Sequence, residues 1–162
     1  MGANDIILGD GAFYINNTLI GLNRGGGQFV VEREYRIIDA DGDRGPVKGR
    51  IRKINSVPKL TLNALELTLT RLNKLYPATK ITGDVMEAAE NIDDLADYVN
   101  IKWVGQTKDG RDVIITLSNA INMDNIDLSM TDKEEIVASV TYTGCYDSLD
   151  RTKEPWSLEI VS

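Results

Sequence analysis

The segment from Arg24 to Lys59 reads RGGGQFVVEREYRIIDADGDRGPVKGRIRKINSVPK. Its first part alternates apolar and charged residues with a period of two, which is typical of a β-strand, and we predict that strand at Gln28–Ile38. A second alternating stretch occupies Gly49–Asn55. The residues between the two stretches are too polar for a core and too numerous for a simple turn. We therefore predict a long inter-strand loop between them, and long loops usually exist to contact something outside the domain.

The remainder of the chain also reads as short strands separated by turns. Asn16-Asn17 and Lys108-Asp109-Gly110 are hairpin signals, because Asn and Gly tolerate the positive φ angles of tight turns. Apolar alternation predicts further strands at Ala12–Ile15, Thr18–Leu22, Tyr98–Thr107, Arg111–Ser118, Glu135–Tyr146 and Trp156–Ser162. These patterns predict a mainly β fold, a β-sandwich or partly closed barrel of two antiparallel sheets with one short flanking helix.

Two features around the long segment refine the strand boundaries. We expect Gly25-Gly26-Gly27 to break the chain before the first long strand, and Pro58 to mark a boundary at an unpaired or edge position. Alternation resumes in Leu60–Thr70, where a change of phase at Asn63-Ala64 indicates a β-bulge or a change of face.

The helix is predicted just after this stretch. Thr70 is the expected cap and Pro77 the expected stop, because proline cannot continue a helix. Residues 84–97 combine helical spacing of apolar residues with many acids, so a helix and a loop both remain open for that segment.

The 162-residue chain has no histidine and one cysteine, Cys145. This composition excludes Ser-His-Asp and Cys-His catalysis and the usual zinc sites, so we expect no enzymatic activity and no cofactor. The length predicts a single domain over residues 1–162, and no apolar run approaches the roughly 18 residues of a membrane helix. The first residues lack the features of a signal peptide, so we expect synthesis and folding in a cytoplasm and no membrane partner.

Charge is unevenly distributed within a net charge of −7. A purely basic stretch follows Asp43 and contains Arg44, Lys48, Arg50, Arg52, Lys53 and Lys59. A purely acidic stretch contains Asp84, Glu87, Glu90, Asp93, Asp94 and Asp97. Two solvated surfaces would explain this. So would head-to-tail association, in which the basic segment of one copy meets the acidic segment of the next.

We take the loop as the candidate subunit interface and the acidic stretch as its candidate partner. The interface residues are Asp39, Asp41, Asp43, Arg44, Gly45, Pro46, Lys48, Arg50, Arg52 and Lys53. The overall acidity of the chain argues against tight nucleic-acid binding, which needs a dominant basic footprint.

Motifs that could carry chemistry fail on specific residues. The run that starts at Asp39 resembles a calcium loop, but Arg44 and Arg50 replace the required glycine and glutamate. The glycine run before Gln28 precedes a strand rather than a helix, so it cannot form a P-loop. Glu32 and Glu34 fit an ion-pair face better than a glycosidase pair, given the arginines beside them.

The ordered set of motifs resembles the major tail tube proteins of long, flexible, non-contractile bacteriophage tails. The resemblance is carried by RGGGQFVVEREYRIIDADGDRGPVKGR (Arg24–Arg50), PKLTLNALELT (Pro58–Thr68), YVNIKWVGQTKDGRDV (Tyr98–Val113) and NIDLSMTDKEE (Asn125–Glu135). These stretches are distributed between Arg24 and Glu135 and make up nearly half of the chain from Arg24 to its end. No one of them is diagnostic alone, whereas their order along the chain is more specific.

The resemblance implies a structural virion protein. Six copies would form a ring, and stacked rings would form a hollow tube through which the phage genome passes. The loop at residues 39–53 would reach a neighbouring subunit and be poorly ordered in the free monomer, with Arg44, Lys48, Arg50 and Arg52 in ion pairs across the interface. The implied partners are further copies of the chain, the tape measure, tail terminator and tail tip proteins, and DNA in the lumen. The implied location is the virion tail, assembled in the bacterial host cytoplasm.

Other functions remain open at the level of sequence. A tail terminator, a head–tail connector and the inner tube of a contractile system share the same sandwich and ring habit. A carbohydrate-binding β-sandwich module is a different class, but the chain has few aromatic residues with which to stack on sugars. A hydrolase using two carboxylates is a third class, and the missing histidine and the scattered acids argue against it.

Overall fold

The computed structural model describes residues 2–162, which form ten β-strands, one α-helix and a short 3₁₀ turn at Ala3–Asp5. The elements in chain order are β1 (Ile7–Ile15), β2 (Thr18–Leu19), β3 (Asn23–Ile37), β4 (Ile51–Ala64), α1 (Leu69–Leu75), β5 (Thr79–Thr82), β6 (Val85–Ala88), β7 (Val99–Thr107), β8 (Asp112–Asn122), β9 (Ala138–Gly144) and β10 (Trp156–Ile160).

The strands form two antiparallel sheets. Eight of them make the larger sheet, in the order β2-β1-β7-β8-β9-β4-β3 with β10 beside β8, and β5 and β6 form a separate hairpin. The larger sheet does not close on itself. The prediction of a mainly β fold with two antiparallel sheets and one short helix is therefore confirmed.

Strand β8 folds the large sheet into two layers because it changes partner along its length. Its first part pairs with β10 from Val113 to Leu117, and its end pairs with β9 from Ala120 to Asn122. Between the two stretches Asn119 has a φ of 51°, and its carbonyl accepts a hydrogen bond from the Cys145 amide. A strand that bends in this way can serve two packed sheets.

The core fills the space between these layers. In β4 and β9, alternate side chains are buried, as expected for strands with one face on a core. Phe29 and Trp156 are partly buried against this core, and their ring centroids are 5.7 Å apart. The largest fully buried side chains include Tyr76, Tyr142, Leu60, Leu62, Leu75, Ile101 and Leu117.

Trp103 packs against a cross-strand pair of glycines. Gly11 of β1 is opposite Gly105 of β7, and the Trp103 indole lies where both glycines would carry a Cβ. A Cβ on Gly11 would lie 2.7 Å from the indole and 2.5 Å from the Val104 carbonyl oxygen. An aromatic ring that covers glycines in a sheet supplies the packing those residues lack. Trp103 is thereby partly buried against the core cluster.

Several turns agree with the sequence. Asn16 and Asn17 have φ angles of 49° and 67° and join β1 to β2, while Gly110 with a φ of 90° lies in the turn between β7 and β8. Asparagine and glycine reach these angles at little cost.

Other strand boundaries differ from those predicted. The Gly25-Gly26-Gly27 run does not break the chain but lies inside β3 as a register irregularity between Asn23 and Gly27. Pro58 likewise lies inside β4 rather than at its end. The prediction that Pro58 occupies an edge position is confirmed in part, because β9 pairs with β4 only from Lys59 onward.

The helix begins earlier than predicted. Thr68, not Thr70, caps it, and the Thr68 side chain accepts a hydrogen bond from the Arg71 amide at 3.2 Å. The change of phase near Asn63-Ala64 is where β4 ends, so Leu65 onward is outside the strand. Residues 84–97 contain no helix: they hold β6 and a loop, because the turn at Gly83 folds β6 back onto β5.

We expect Gly11→Ala to destabilise the fold by about 1–3 kcal/mol, because the new methyl group would overlap a backbone carbonyl that cannot rotate away. Gly9→Ala is the matched control, since a Cβ at Gly9 meets no atom within 4 Å. Urea denaturation of both variants gives the free energies of unfolding. Equal free energies for the two variants would contradict the close packing described at Gly11.

Candidate assembly surface

The β3–β4 hairpin extends well beyond the sandwich. Strand β9 pairs with β4 only over Lys59–Ala64, and β3 is the last strand of the sheet. The far half of the hairpin is therefore a two-stranded ribbon that ends in a loop. We call residues 34–55 the arm.

One face of the arm is apolar and exposed. Alternation along β3 places Tyr35 and Ile37 on the same face as Phe29, whose ring packs against the core. Ile51 is paired directly with Ile37 and shares that face. The exposed fractions of Tyr35, Ile37 and Ile51 are 52%, 46% and 51%. The core-facing side of the hairpin thus continues past the core with no cover from residues 2–162.

The opposite face of the arm is cationic. Arg36 is paired with Arg52 across the two strands. This pair is next to the Ile37–Ile51 pair, so its side chains lie on the other face of the ribbon. Directly opposed like charges are unfavourable in an isolated ribbon. Neither guanidinium forms an ion pair within the described residues, so both are available to an anionic surface.

A β-bulge marks the base of the arm. Glu34 is opposite Asn55, whereas the next residue, Tyr35, is opposite Lys53, so Ile54 has no partner on β3. An extra residue of this kind bends the strand and increases its twist. The direction in which the arm leaves the sandwich is therefore set at Ile54.

The carboxylate of Glu154 joins this base to the rest of the protein. It accepts hydrogen bonds from the Lys53 ammonium, the Ser56 hydroxyl and the Trp156 indole N–H, the last at 3.1 Å. The Tyr146 hydroxyl donates to the Ser56 carbonyl at 2.9 Å. We call these five residues the clamp.

The clamp changes the acidity of its carboxyl group. Hydrogen bonds from Lys53 first, and then from Ser56 and Trp156, lower the pKa of Glu154 from its ordinary value of 4.5 to about 2. Bonds to the charged form of a carboxyl group favour ionisation. Glu154 is therefore ionised in the folded protein throughout the physiological range.

The loop of the arm covers residues 38–50 and is organised around Asp43. Its Oδ2 atom accepts hydrogen bonds from the Ala40 amide at 2.8 Å and from the Arg50 guanidinium at 2.7 Å. The Arg50 carbonyl accepts from the Ile38 amide at 2.8 Å and closes the loop. Arg50 is thus paired within its own loop rather than free for a neighbour.

The remaining predicted interface residues divide into two groups. Arg52 and Lys53 lie in β4, so the loop is shorter than the predicted 39–53, because the ladder with β3 continues to Ile51. The others are exposed on the loop: Asp39, Asp41, Arg44, Gly45, Pro46 and Lys48. Arg44 and Lys48 form no ion pair among residues 2–162.

The acidic stretch also divides. Asp97 is half-buried and accepts hydrogen bonds from the Ala78 amide at 3.1 Å and the Asp93 amide at 2.8 Å. Asp93 in turn accepts from the Leu95 and Ala96 amides. These two carboxylates hold the loop after β6 in shape.

The other acids of that stretch face solvent. Asp84, Glu87, Glu90 and Asp94 are exposed on the β5–β6 hairpin and the loop after it, beside exposed apolar side chains such as Val85 and Leu95. No ion pair joins these acids to the arm within the part of the chain that the structure describes. The two oppositely charged surfaces therefore remain separate in one copy.

Few other groups among residues 2–162 are placed for catalysis or metal binding. Residues 2–162 contain no group of three or more Cys, Asp or Glu side chains placed to hold a metal ion. Cys145 is half-buried, and burial raises the pKa of its thiol, which disfavours the reactive thiolate. Within the same residues, no helix is long and apolar enough to cross a bilayer.

A scan against protein-family models and a search of curated proteins found no match to this chain.

Sequence reasoning missed the clamp and the apolar face of the arm. Tyr35, Ile37 and Ile51 were recognisable as strand residues, but their exposure depends on where β9 ends. Glu154 carried no sequence signal, because it lies in a polar run about 100 residues away from Lys53 and Ser56.

The depressed pKa of Glu154 predicts how the clamp responds to acid. A carboxyl group whose pKa is lower in the folded state stabilises the protein fully above its unfolded value, and that contribution is lost as the pH falls from about 4.5 to about 2. We expect the difference in unfolding free energy between the wild type and Glu154→Gln to be constant near neutral pH and to shrink below about pH 4.5. Urea denaturation at a series of pH values measures it, and a difference that persists unchanged at pH 2 would contradict the assignment.

Proposed function

We propose that this protein is the structural unit of a phage tail tube. Copies associate side by side into rings, and the rings stack into a hollow tube through which DNA passes. The partners are other copies of the chain together with the proteins that set the length and close the ends of the tail. Its place is the tail of the virion, and it has no catalytic role.

The arm is the observation that carries this proposal. A two-stranded ribbon is marginally stable by itself in water, yet this one extends Tyr35, Ile37 and Ile51 into solvent on the continuation of a core face. Covering the exposed part of each side chain on a neighbour would contribute about 1 kcal/mol. An arm of this kind is suited to contact a second subunit.

The free edge of β3 supports lateral association. Strand β3 spans Asn23–Ile37 and ends the large sheet, so its outer edge has no partner among residues 2–162. A long unpaired edge is a template for another strand. In a ring, the same edge on every copy could meet the opposite edge of the next, as a heterologous interface requires.

Charge supports a head-to-tail contact between arm and acidic surface. Among residues 2–162, Arg44 and Lys48 on the loop form no ion pair, and neither do Asp84 and Asp94 on the other surface. Each exposed ion pair contributes little, but complementary patches guide association and register. The net charge of −7 is compatible with a lumen along which DNA slides without adhering.

We expect Arg44→Glu with Lys48→Glu to leave the monomer folded and to prevent tube growth, because the loop would then repel the acidic surface of its neighbour. Lys108→Glu, an exposed reversal in the β7–β8 turn, is the control. Negative-stain electron microscopy at high protein concentration detects rings and tubes. Normal tubes from the double variant would exclude this contact, and an absence of assembly in the wild type with added tail initiator would count against the function.

A second variant tests the apolar face. We expect Tyr35→Ser with Ile37→Ser to change the unfolding free energy by less than about 1 kcal/mol, because both residues are exposed, and to abolish assembly. Met123→Ser with Met130→Ser removes exposed apolar side chains outside the arm and is the control. Sedimentation velocity gives the assembled fraction. Assembly that survives in the Tyr35 variant, or fails equally in the Met123 variant, would contradict a specific role for the arm.

A further inference from the structure

A flexible arm loses conformational entropy when it binds a neighbouring subunit. Fixing the backbone of a flexible residue costs about 1–2 kcal/mol, so a fully mobile arm would lose much of its binding energy to ordering on assembly. Preorganisation removes that loss before association begins. The base of the arm carries contacts that could provide it.

We propose that Glu154 is a positioning residue that holds the base of the arm in a preset direction before any neighbour binds. The mechanical claim concerns the single chain. Its consequence for assembly rests on the proposed tube function.

The carboxylate of Glu154 spans the bulge that sets the direction of the arm. Lys53 lies on the arm side of Ile54, and Ser56 lies on the body side. One carboxylate thus binds both sides of the bend, with Oε2 on Lys53 and Oε1 on Ser56. Since a bulge is where a strand can bend most easily, a group that bridges it restricts that motion.

The other contacts attach this carboxylate to the rigid body. The Trp156 indole N–H donates to Glu154 Oε1 at 3.1 Å, and its ring packs against Phe29 and the core. Ser56 is only 5% exposed, and its carbonyl is held by the Tyr146 hydroxyl. Lys53 is therefore the one clamp residue that belongs to the mobile arm, and its bond to Glu154 attaches the arm to the body.

An ordinary surface ion pair would not have this effect. Exposed pairs between flexible side chains contribute little and fluctuate. Glu154 differs because its side chain is 21% exposed and accepts three donors, two from β4 and one from the start of β10. Charge-assisted hydrogen bonds to a fixed carboxylate are stronger and more directional than a solvated pair.

The clamp divides the arm into two parts with different tasks. The ribbon near Lys53 is preset, whereas the loop at residues 38–50 lies beyond the reach of the clamp. Only the outer part would then lose conformational freedom on docking. The direction of the ribbon would decide where the loop meets the next copy.

Hydrogen exchange of the monomer at low concentration tests the mechanical claim. In Glu154→Gln the amide group would face the Lys53 ammonium and break that link, while Lys53→Met breaks it from the other side. We expect arm amides at 51–55 to exchange about tenfold faster in both variants, with amides of β7 unchanged. Glu159→Gln is the control, since that exposed β10 carboxylate accepts no side-chain hydrogen bond within residues 2–162.

Three results would overturn the proposal. Arm amides of the wild type could exchange as fast as an unstructured peptide, which would show that nothing presets the arm. Exchange in both variants could match the wild type. Alternatively, β7 and the arm could accelerate together, which would make Glu154 a residue of general stability. Lys53→Met keeps the test valid if Glu154→Gln fails to fold.

Assembly is measured separately, so the two proposals can fail independently. We expect Glu154→Gln to need a protein concentration several-fold higher than the wild type to form tubes, with Glu159→Gln unchanged. Loosened arm amides together with no tubes from any variant, the wild type included, would leave the clamp supported and reject the tube function. Loosened amides with unchanged tube formation would reject the link between presetting and assembly.

Discussion

The length over which β4 is paired on both sides governs the rest of this structure. From Lys59 to Ala64 it is a central strand between β3 and β9, and alternate side chains enter the core. Before Pro58 it pairs with β3 alone. Backbone hydrogen bonds thus continue into the arm after the hydrophobic core has ended. The same hairpin is a scaffold at one end and an exposed ribbon at the other.

This division explains why apolar residues lie in solvent on the arm. Strand alternation continues regardless of what lies opposite, so the face that carries Phe29 inside carries Tyr35 and Ile37 outside. Where one layer of a sandwich extends beyond the other, its inner face is exposed to solvent. Exposed apolar area of this kind is characteristic of an interaction surface.

Electrostatics act at two scales in this fold. Buried or bridging groups such as Asp43 and Glu154 each serve several donors within one chain and shape the arm. Exposed groups such as Arg44 and Asp94 form no ion pair among residues 2–162 and contribute to the field between copies. The first kind is local and resists salt, whereas the second kind is screened beyond about 10 Å at moderate ionic strength.

Much of the fold could be predicted from local pattern, while the site could be predicted only in part. The turns at Asn16-Asn17 and Gly110 follow from residues that tolerate positive φ. The prediction of a chain break at Gly25-Gly26-Gly27 was wrong, because a glycine run can form an irregularity within a strand as well as a break. For residues 84–97 the sequence left a helix and a loop open, because the spacing of the apolar residues suits a helix; the structure has β6 and a loop, since the preceding turn leads the chain back along β5.

The sequence by itself determined the mainly β class, the paired strands of the long hairpin and the separation of charge, because these depend on near neighbours along the chain. It also determined which residues are cationic on the loop. Only the tertiary structure decided that Arg50 is occupied by Asp43, that the inner face of the arm is bare, and that Glu154 bridges the bulge. These features depend on where distant strands end and on which groups then come within hydrogen-bonding distance. Pairing over about 100 residues of intervening chain is set by packing of the layers, which no local pattern encodes.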